Sequence, residues 1–558
     1  MPQSPLNFRS LAHPAHRLLQ KVRRRANLFL RGESPGQFFD LDDREAISRI
    51  MTSCSLTPPK APPREVAYRD GNLTRGEKLY ELREDLRREI PLALTPAQRG
   101  EFFRWFCQFG WKESDIEPMD VLRALFEQDA KPDRGLVASY LVQPMWQQKY
   151  PDALALEGWE AFKRGLAAEY GLRGRWLRRA TLPISFASQV PLRPGELGVN
   201  AVGLFRYTSG LQQAAQSAVD ALDGAGVRLS IRDVPMAHNR DGRGRTGFDG
   251  LERFPISLIN TGLDLPIPEV YRLAGLHPRT GVYRIAIWWW ELEQLPEAWL
   301  GRGADVDEIW APTTFISKSL RVLGKPVFPM LPSVRLPSFV PKPKTAFGLS
   351  PNKFTFLFVF DMNSRLPRKN PLALIRAFRL AFSKTEAVEL AIKVSPQERF
   401  YPEWWDELRI AATANDVKLI DRSLERGDLL ALMNAADGYV SLHRSEGFGL
   451  TMAEAMLLGK PTIATAYSGN LDFMTNENSY LVRHAMTRIE EDIPPYPKGC
   501  EWAEPSVEHA AEQMRRVFDN RAEAAAIAAR GRADAEQTLS VEAAAKRMTT
   551  RLMEIQNR

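Results

Sequence analysis

The chain has 558 residues, of which 44% are hydrophobic and 26% are charged, a composition typical of folded globular proteins and long enough for about three domains. Its three cysteines, Cys54, Cys107 and Cys500, have neither metal-site spacing nor the density of a disulfide framework, which favours a reducing compartment such as a bacterial-type cytosol. No run of about 18 apolar residues occurs, and the N-terminus lacks a continuous apolar core, so we expect neither a membrane span nor a secretory signal.

A basic segment, residues 1–32, accounts for the whole net charge of +7. It contains seven Lys and Arg and no Asp or Glu, and leucine and valine are interleaved with the charges. Two states suit this pattern, a basic amphipathic helix on an anionic membrane surface or a solvated tail, and the sequence leaves both open. Nucleic acid is not expected as a partner, because the rest of the chain has equal numbers of acidic and basic residues.

Two segments precede the first alternation of strands and helices. Residues 33–85 are rich in proline and charge, so residues 1–85 are predicted to be a basic tail and linker. Residues 86–182 are predicted to be a helical domain packed by its aromatic side chains. In it, Thr95-Pro96-Ala97-Gln98 has the form of a capping box that opens a helix ending at Gly110, and a later helix is predicted from Gly158 to Tyr170. An interaction module and a structural buttress suit this domain equally well.

Residues 190–340 alternate short apolar runs with helical segments, the pattern of an open parallel sheet. The first strand is predicted at 198–205, followed by Ser209-Gly210 and a helix from Leu211 to Leu222. Further strands are predicted at 254–260, 283–288 and 307–312. Residues 335–350, with several prolines, are predicted to connect this domain to the next.

Residues 346–540 repeat the alternation, which requires parallel strands joined by right-handed crossovers. After the first strand, Asn370 and Pro371 are predicted to cap and begin a helix. Strands are predicted at 354–360, 388–394, 417–420, 439–442 and 462–465, with intervening helices near 403–414 and 427–435. Residues 541–558 are predicted to form a C-terminal helix.

One segment of this second domain carries the strongest indication of function. Glu446 and Glu454 flank a Gly447-Phe448-Gly449 bend, between an apolar strand and a helix-forming run that begins at Leu450. A strand that ends in a glycine turn and feeds a helix directs backbone N–H groups and the positive end of the helix dipole at a ligand. The carboxylates add acceptors for hydroxyls. Donors for phosphate beside acceptors for hydroxyls indicate a nucleotide-sugar site.

This segment resembles the E-x7-E signature of retaining glycosyltransferases of family 4, which have the GT-B fold. The resemblance covers about residues 190–540 and implies two Rossmann-like domains facing a cleft, with a last helix that crosses back to the first of them. It implies that Glu446 faces the donor sugar and that Glu454 holds the ribose. It also implies that the backbone of Gly447, Phe448, Gly449 and Leu450 binds sugar and diphosphate.

Arg368-Lys369 precedes a predicted helix start, where fixed charge and backbone N–H groups together suit a diphosphate. The resemblance assigns Lys369 to the donor diphosphate, with Arg368 beside it. It also implies a second phosphate-binding Arg earlier in the loop. Asn363-Ser364 stand at that place here and Arg365 is shifted, so only Asn363 is carried over as a donor-side candidate.

Other candidates have two readings each. His443 either donates a hydrogen bond to the site or is a structural histidine at a strand end. In the first α/β domain, the Gly210 loop matches a family loop near donor and acceptor, and the run Trp288-Trp289-Trp290-Glu291-Leu292-Glu293 resembles a tract of polysaccharide-type members. Glu291 and Glu293 therefore either face the acceptor or form a solvated rim.

The resemblance predicts a retaining, metal-independent hexosyltransferase without a cofactor, acting from a nucleotide diphosphate sugar, with GDP-mannose as the first candidate. The acceptor would be a polysaccharide or lipid-linked glycan at the inner face of the plasma membrane. Charge that develops on the diphosphate would be stabilised by Lys369, Arg368 and the helix end at Gly449. A sugar-nucleotide epimerase of the same fold and an inactive membrane-associated scaffold remain as alternatives.

Overall fold

The computed structural model of the protein describes residues 44–57, 75–113, 121, 132–172, 175–180, 182, 192–206, 209–236, 250–395 and 401–558. The chain divides near residue 190 into two compact units, the first of which also includes the short segment Gly275–His277. The predicted basic tail, residues 1–32, lies outside the described residues, and so do residues 58–74 of the predicted linker.

The described part of the first unit is helical, as predicted. Fully buried Phe102, Phe103 and Phe106 form its core together with Tyr80. Its α-helices are α1 Arg44–Ser53, α2 Arg75–Leu82, α3 Glu84–Glu89, α4 Arg99–Trp105, α5 Trp111–Glu113, α6 Pro132–Leu141, α7 Pro144–Lys149, α8 Leu156–Tyr170 and α9 Arg175–Arg179. Helix α8 ends as predicted, with Gly171 in the left-handed conformation at its C-terminus.

Two predictions for this unit are wrong in detail. The predicted linker contains helices α1 and α2, because Ile50, Met51 and Tyr80 supply buried apolar faces to the core. The helix expected at Thr95 begins at Arg99 instead, and it passes through a π-helical turn, Phe106–Gly110, before α5. No capping box forms at Thr95, since Gln98 Oε1 accepts a hydrogen bond from the N–H of Leu92 at 2.8 Å.

The second unit contains two parallel six-stranded sheets. The first sheet has the order β2-β1-β3-β4-β5-β6. Its strands are β1 Gly198–Gly203, β2 Arg228–Asp233, β3 Ile256–Asn260, β4 Tyr283–Ile287, β5 Glu308–Ala311 and β6 Val327–Pro329, and its helices are α10 Gly210–Gly224, α11 Ile267–Ala274 and α12 Thr314–Leu320. Ser209 caps α10 by accepting the Gln212 N–H at 3.1 Å. The predictions omit β2, which alternates polar and apolar residues, and β6, which has three residues.

The second sheet has the order β12-β11-β10-β7-β8-β9, in which the direction of winding reverses between β7 and β10. Its strands are β7 Phe354–Asp361, β8 Val388–Ser395, β9 Lys418–Ile420, β10 Gly438–Ser441, β11 Thr462–Thr465 and β12 Tyr480–Val482. The helices of this domain are α13 Leu366–Lys369, α14 Pro371–Ala381, α15 Pro402–Ala414, α16 Arg426–Ala435, α17 Leu450–Leu457, α18 Val507–Asp519 and α19 Arg521–Thr538. All five predicted strands are present within one residue or so of their expected bounds.

The last helix, α20 (Val541–Gln556), packs against the first sheet. Its Met548 and Leu552 are buried with Ile285 of β4. Arg551 donates two hydrogen bonds, of 2.9 and 2.6 Å, to the carboxylate of Glu308, which has no solvent exposure. This contact ties the C-terminus of the chain to the first sheet domain.

The predicted fold class is confirmed, an α/β protein of GT-B type with two parallel-sheet domains and an N-terminal helical region. A two-stranded antiparallel hairpin, β13 His484–Arg488 and β14 Glu501–Pro505, is an addition that the sequence did not predict. Among the helices described, none combines the length and apolar character needed to cross a membrane.

Candidate active site

The loops that carry the predicted site leave neighbouring strands where the second sheet reverses its order. β7 and β10 are hydrogen-bonded neighbours, with Gly438 opposite Phe356. The loop after β7 contains α13 with Arg368 and Lys369, and the loop after β10 contains Glu446. Such a switch point, at the carboxyl ends of the strands, is where open parallel sheets bind ligands.

The glycine turn before α17 is shaped by close approaches. Gly449 occupies the N-cap position with φ of +97°, a left-handed conformation that favours glycine. A side chain at Gly447 would lie 3.0 Å from the carbonyl oxygen of Trp290 in the first sheet domain. Phe448 between them is buried and packs on Phe473 at 5.1 Å, and Leu450 begins the helix half-buried. The turn thus requires small residues for local geometry and for packing between the two sheet domains.

Glu446 is the centre of a buried ion-pair network. It is 8% exposed, one carboxylate oxygen pairs with Lys369, and the other lies 3.3 Å from Nη1 of Arg368. Its backbone is fixed as well, because its N–H donates to Oγ of Ser468 at 2.8 Å and its carbonyl accepts the N–H of Gly469 at 2.9 Å. Burial alone would raise its pKa, but the charges of Lys369 and Arg368 outweigh the desolvation and lower the pKa of Glu446 to about 2.

Lys369, the last residue of α13, is the more accessible of the two predicted cations. Its side chain is 14% exposed, against 4% for that of Arg368. Burial lowers the pKa of Lys369 and the neighbouring Glu446 opposes that effect. A phosphate that approached Lys369 would compete with Glu446 for the same ammonium group. Binding of an anionic ligand can therefore break or lengthen the ion pair between Lys369 and Glu446.

Arg368 is held by protein acceptors. It donates from Nη1 to the carbonyl of Ser445 at 2.8 Å and from Nε to the carbonyl of Ser364 at 3.2 Å. Its guanidinium also lies 3.8 Å from Glu291 of the first sheet domain. The structure therefore places Arg368 as a brace between the loops after β7 and β10, rather than beside Lys369 at an open surface.

Glu454 lies inside α17 with no solvent exposure and forms an ion pair with Arg426 of α16. Its second carboxylate oxygen, Oε2, has no hydrogen-bond partner within the described residues. Burial raises the pKa of Glu454 and Arg426 opposes the rise. Burial raises the pKa of Tyr439 on β10, and Glu446 and Glu454 both add to the rise, so the two glutamates act on one shared neighbour.

His443 has the surroundings of a structural histidine. It has no exposure, and its ring nitrogens lie 3.1 Å from Oγ of Ser441 and 3.2 Å from both the carbonyl of Tyr467 and Oδ1 of Asn470. Burial lowers its pKa to about 4, so the ring is neutral near pH 7. Asn363, by contrast, is exposed in a short turn after β7.

The predicted acceptor-side residues are separated. Glu291 faces the ion-pair network: its carboxylate contacts Arg368 and accepts the hydroxyl of Tyr496 at 3.2 Å, and its carbonyl accepts Oγ of Ser445. Glu293 is exposed; burial raises the pKa of the Tyr467 phenol, and the charge of Glu293 adds to that rise. Gly210 is the first residue of α10, with open space where a side chain would be.

Three residues near the network were not identified from the sequence. Arg426 pairs with Glu454, Ser468 holds the backbone of Glu446, and Tyr496 contacts Glu291. All three reach the site from distant parts of the chain, and no local motif marks them. Arg365, which the sequence left aside, donates to the carbonyl of Pro494 at 2.6 Å and to the hydroxyl of Tyr401 at 2.6 Å.

Groups of three or more His, Cys, Asp or Glu side chains arranged to hold a metal ion are absent from the part of the chain that the structure describes. The network around Glu446 instead consists of carboxylates and fixed cations. This arrangement can accept hydrogen bonds from hydroxyls through Glu446 and Glu454, and it can neutralise an anion through Lys369.

Comparison with known proteins gives a family match within the second sheet domain. Residues 345–534 match the family model described as glycosyl transferases group 1. The chain is also similar to a trehalose synthase of Pyrococcus horikoshii, with 30% identity over 132 residues, which are 22% of this chain and 32% of that protein. The chain thus spans about a third of the length of the curated relative that it matches.

Solved structures are similar at low identity. Anabaena HepE in complex with UDP and glucose is 14% identical, covers 64% of this chain and 100% of its own, and has a TM-score of 0.46. A sucrose-phosphate synthase from Thermosynechococcus elongatus is 16% identical, covers 64% of this chain and 99% of its own, and has a TM-score of 0.47. The match to the glycosyl transferases group 1 model covers residues 345–534, which lie in the second sheet domain.

Proposed function

We propose that the protein is a retaining hexosyltransferase that moves a hexose from a nucleoside diphosphate sugar to a growing polysaccharide or lipid-linked glycan without a metal ion. The observation that carries the proposal is the Lys369–Glu446 pair at the point where β7 and β10 diverge. A cation and a hydroxyl acceptor in contact are what the phosphate and the sugar of one donor molecule require. The family match of residues 345–534 supports the same reading.

The leaving group is the first part of the chemistry. When the bond between the sugar and phosphate breaks, negative charge grows on the diphosphate, and preorganised donors at that place stabilise the transition state. Lys369 supplies a fixed charge, and the N-terminus of α17 after Gly449 supplies backbone N–H groups and the positive end of a helix dipole. Arg368 contributes indirectly, because it holds Glu446 and the loop of Ser445 in place.

The two glutamates would bind the hydroxyl groups of the donor. Glu446 stays ionised over the whole physiological range, since its pKa is about 2, and so it remains an acceptor for the sugar hydroxyls. Glu454 presents one carboxylate oxygen without a partner among the described residues, which suits a ribose hydroxyl. The acceptor hydroxyl attacks from the leaving-group face and gives its proton to the departing phosphate, which retains the anomeric configuration.

The proposal also names a sugar and an acceptor. We take GDP-mannose as the first donor to test, from the resemblance to polysaccharide-type enzymes. We place the acceptor at the inner face of the plasma membrane, with the basic segment 1–32 as the contact to anionic lipid.

The test measures release of nucleoside diphosphate from GDP-mannose, UDP-glucose and UDP-N-acetylglucosamine, with and without glycan acceptors. Lys369→Ala should lower turnover of the accepted donor about 100-fold, as expected when one transition-state donor is removed. Glu446→Gln should lose a similar factor. Lys342→Ala is the matched control, because Lys342 is an exposed lysine paired with Asp428 at 2.5 Å. Thermal unfolding of each variant separates loss of chemistry from loss of folding.

Two outcomes would contradict the proposal. Near-normal turnover by Lys369→Ala would remove the diphosphate assignment. Interconversion of the sugar nucleotide without transfer to any glycan would instead identify a sugar-nucleotide epimerase. NMR of the product decides the stereochemistry, because a retaining enzyme gives an α-linkage from an α-linked donor.

A further inference from the structure

The hairpin β13–β14 carries a loop, residues 489–500, that reaches the ion-pair network; we name this loop the strap. The strap is held by its own backbone: the N–H of Gly499 donates to the carbonyl of Ile489 at 2.8 Å, and Ile493 and Tyr496 exchange hydrogen bonds of 3.0 and 2.7 Å. Arg365 of the loop after β7 binds the carbonyl of Pro494 at 2.6 Å. The strap is therefore tied to the loop that contains Lys369.

Tyr496 is the residue of the strap that enters the network. It is 4% exposed, and its ring lies 5.6 Å from that of Trp290. Its hydroxyl donates to Oε2 of Glu291 at 3.2 Å, while the Arg368 guanidinium lies over its ring, 5.8 Å from the centroid. A cation at this distance from an aromatic face is attracted to it.

Tyr496 and Glu291 thus contact the same guanidinium from two different domains. Oε1 of Glu291 lies 3.8 Å from Arg368, and Glu446 lies 3.3 Å from it. Because the Tyr496 hydroxyl engages the other oxygen of Glu291, it limits how that carboxylate can turn toward Arg368. Without that restraint, Glu291 could compete with Glu446 for the cation.

We propose that Tyr496 is a positioning residue: its hydroxyl orients Glu291, and its ring together with Glu291 holds Arg368 against Glu446. The strap and the first sheet domain then both control how the Glu446 carboxylate meets the donor sugar. In its consequence for turnover, this inference rests on the proposed function. Tyr496 acts through Glu291 and Arg368 and is not itself assigned to the donor.

The first arm of the test needs no substrate. Tyr496→Phe keeps the ring and removes only the hydroxyl, and it is combined with Glu291→Gln in a double-mutant cycle on urea unfolding. We expect Tyr496→Phe to shift the unfolding equilibrium about fivefold in wild type and much less in the Glu291→Gln background. Tyr480→Phe is the matched control, because the buried Tyr480 hydroxyl lacks a hydrogen-bond partner in the described region. Independent effects of the two substitutions would overturn the proposal.

The second arm measures turnover of the donor identified above. Tyr496→Phe should lower kcat about tenfold and change the donor KM less than about twofold, because a misplaced carboxylate affects the reaction more than donor binding. The loss should not grow when Glu291→Gln is added, and Tyr480→Phe should keep the wild-type kcat. A wild-type kcat for Tyr496→Phe, or a loss confined to KM, would contradict the positioning role. If wild type turns over no sugar nucleotide, the proposed function fails and the unfolding cycle alone decides whether Tyr496 acts on Glu291.

Discussion

Gly469→Ala tests how tightly the loop of Glu446 is packed. A Cβ atom at Gly469 would lie 2.0 Å from the carbonyl oxygen of Gly447 and 2.9 Å from the backbone nitrogen of Phe448. Ordinary contact begins at 3.4 Å, so the two backbone segments must separate by about 1.4 Å. The Gly469 N–H also bonds to the carbonyl of Glu446 at 2.9 Å, so this shift moves the carboxylate that we propose faces the donor.

A displacement of about 1 Å at a reacting group lowers a rate about 100-fold, which is the loss of turnover that we expect from Gly469→Ala. The same strain should lower the free energy of unfolding by about 1–3 kcal/mol. Gly224→Ala is the control, since that glycine has open space around it at the end of α10. The assays are donor turnover and urea unfolding. A variant with wild-type turnover would refute the argument that packing at Gly447 sets the position of Glu446.

Three further predictions concern stability and membrane binding. Arg551→Ala should lower the free energy of unfolding in urea by about 3–5 kcal/mol, because it leaves the buried carboxylate of Glu308 without its cation. Arg532→Ala breaks an exposed ion pair and should lower it by less than about 1 kcal/mol. Equal losses would contradict a stabilising role for the Arg551–Glu308 pair. The pKa of His443 is about 4 in the folded protein, below that of an unfolded histidine, so its contribution to stability is present above about pH 6.5 and is lost on acidification. The free energy of unfolding should therefore fall by about 2 kcal/mol between pH 7 and pH 5 through this group. The His443→Gln variant should lack this part of the fall. Deletion of residues 1–32 should abolish sedimentation with anionic vesicles, and unchanged sedimentation would favour a solvated tail.

The elements of the second sheet domain were predictable because their signals are local. Its strands are short, apolar and bounded by glycine, proline or polar residues, and β11 occupies Thr462–Thr465 as expected. Asn370 shows the limit of such signals: it occupies the N-cap of α14 as predicted, but with φ of +53° its side chain makes no capping hydrogen bond. The sequence predicts which residue occupies the N-cap, whereas the backbone angle that sets the direction of its side chain depends on the preceding turn.

The contacts that build the site could not be read from the sequence in the same way. Glu446 and Glu454 were identified from one motif and Lys369 from another, but Arg426 and Tyr496 reach their carboxylate partners from 28 and 205 residues away. Such ion pairs and hydrogen bonds depend on how loops from different strands meet at the sheet edge. The hairpin β13–β14 was missed for a related reason, since its strands contain many polar residues and form a two-stranded sheet of their own.

The most direct measurement is a crystal structure of the protein with an intact sugar nucleotide. The proposed function predicts that Nζ of Lys369 lies within about 3.2 Å of a diphosphate oxygen, with Glu446 facing the sugar hydroxyls and the N-terminus of α17 facing the phosphates. A donor bound elsewhere, with the pair between Lys369 and Glu446 unchanged, would contradict it.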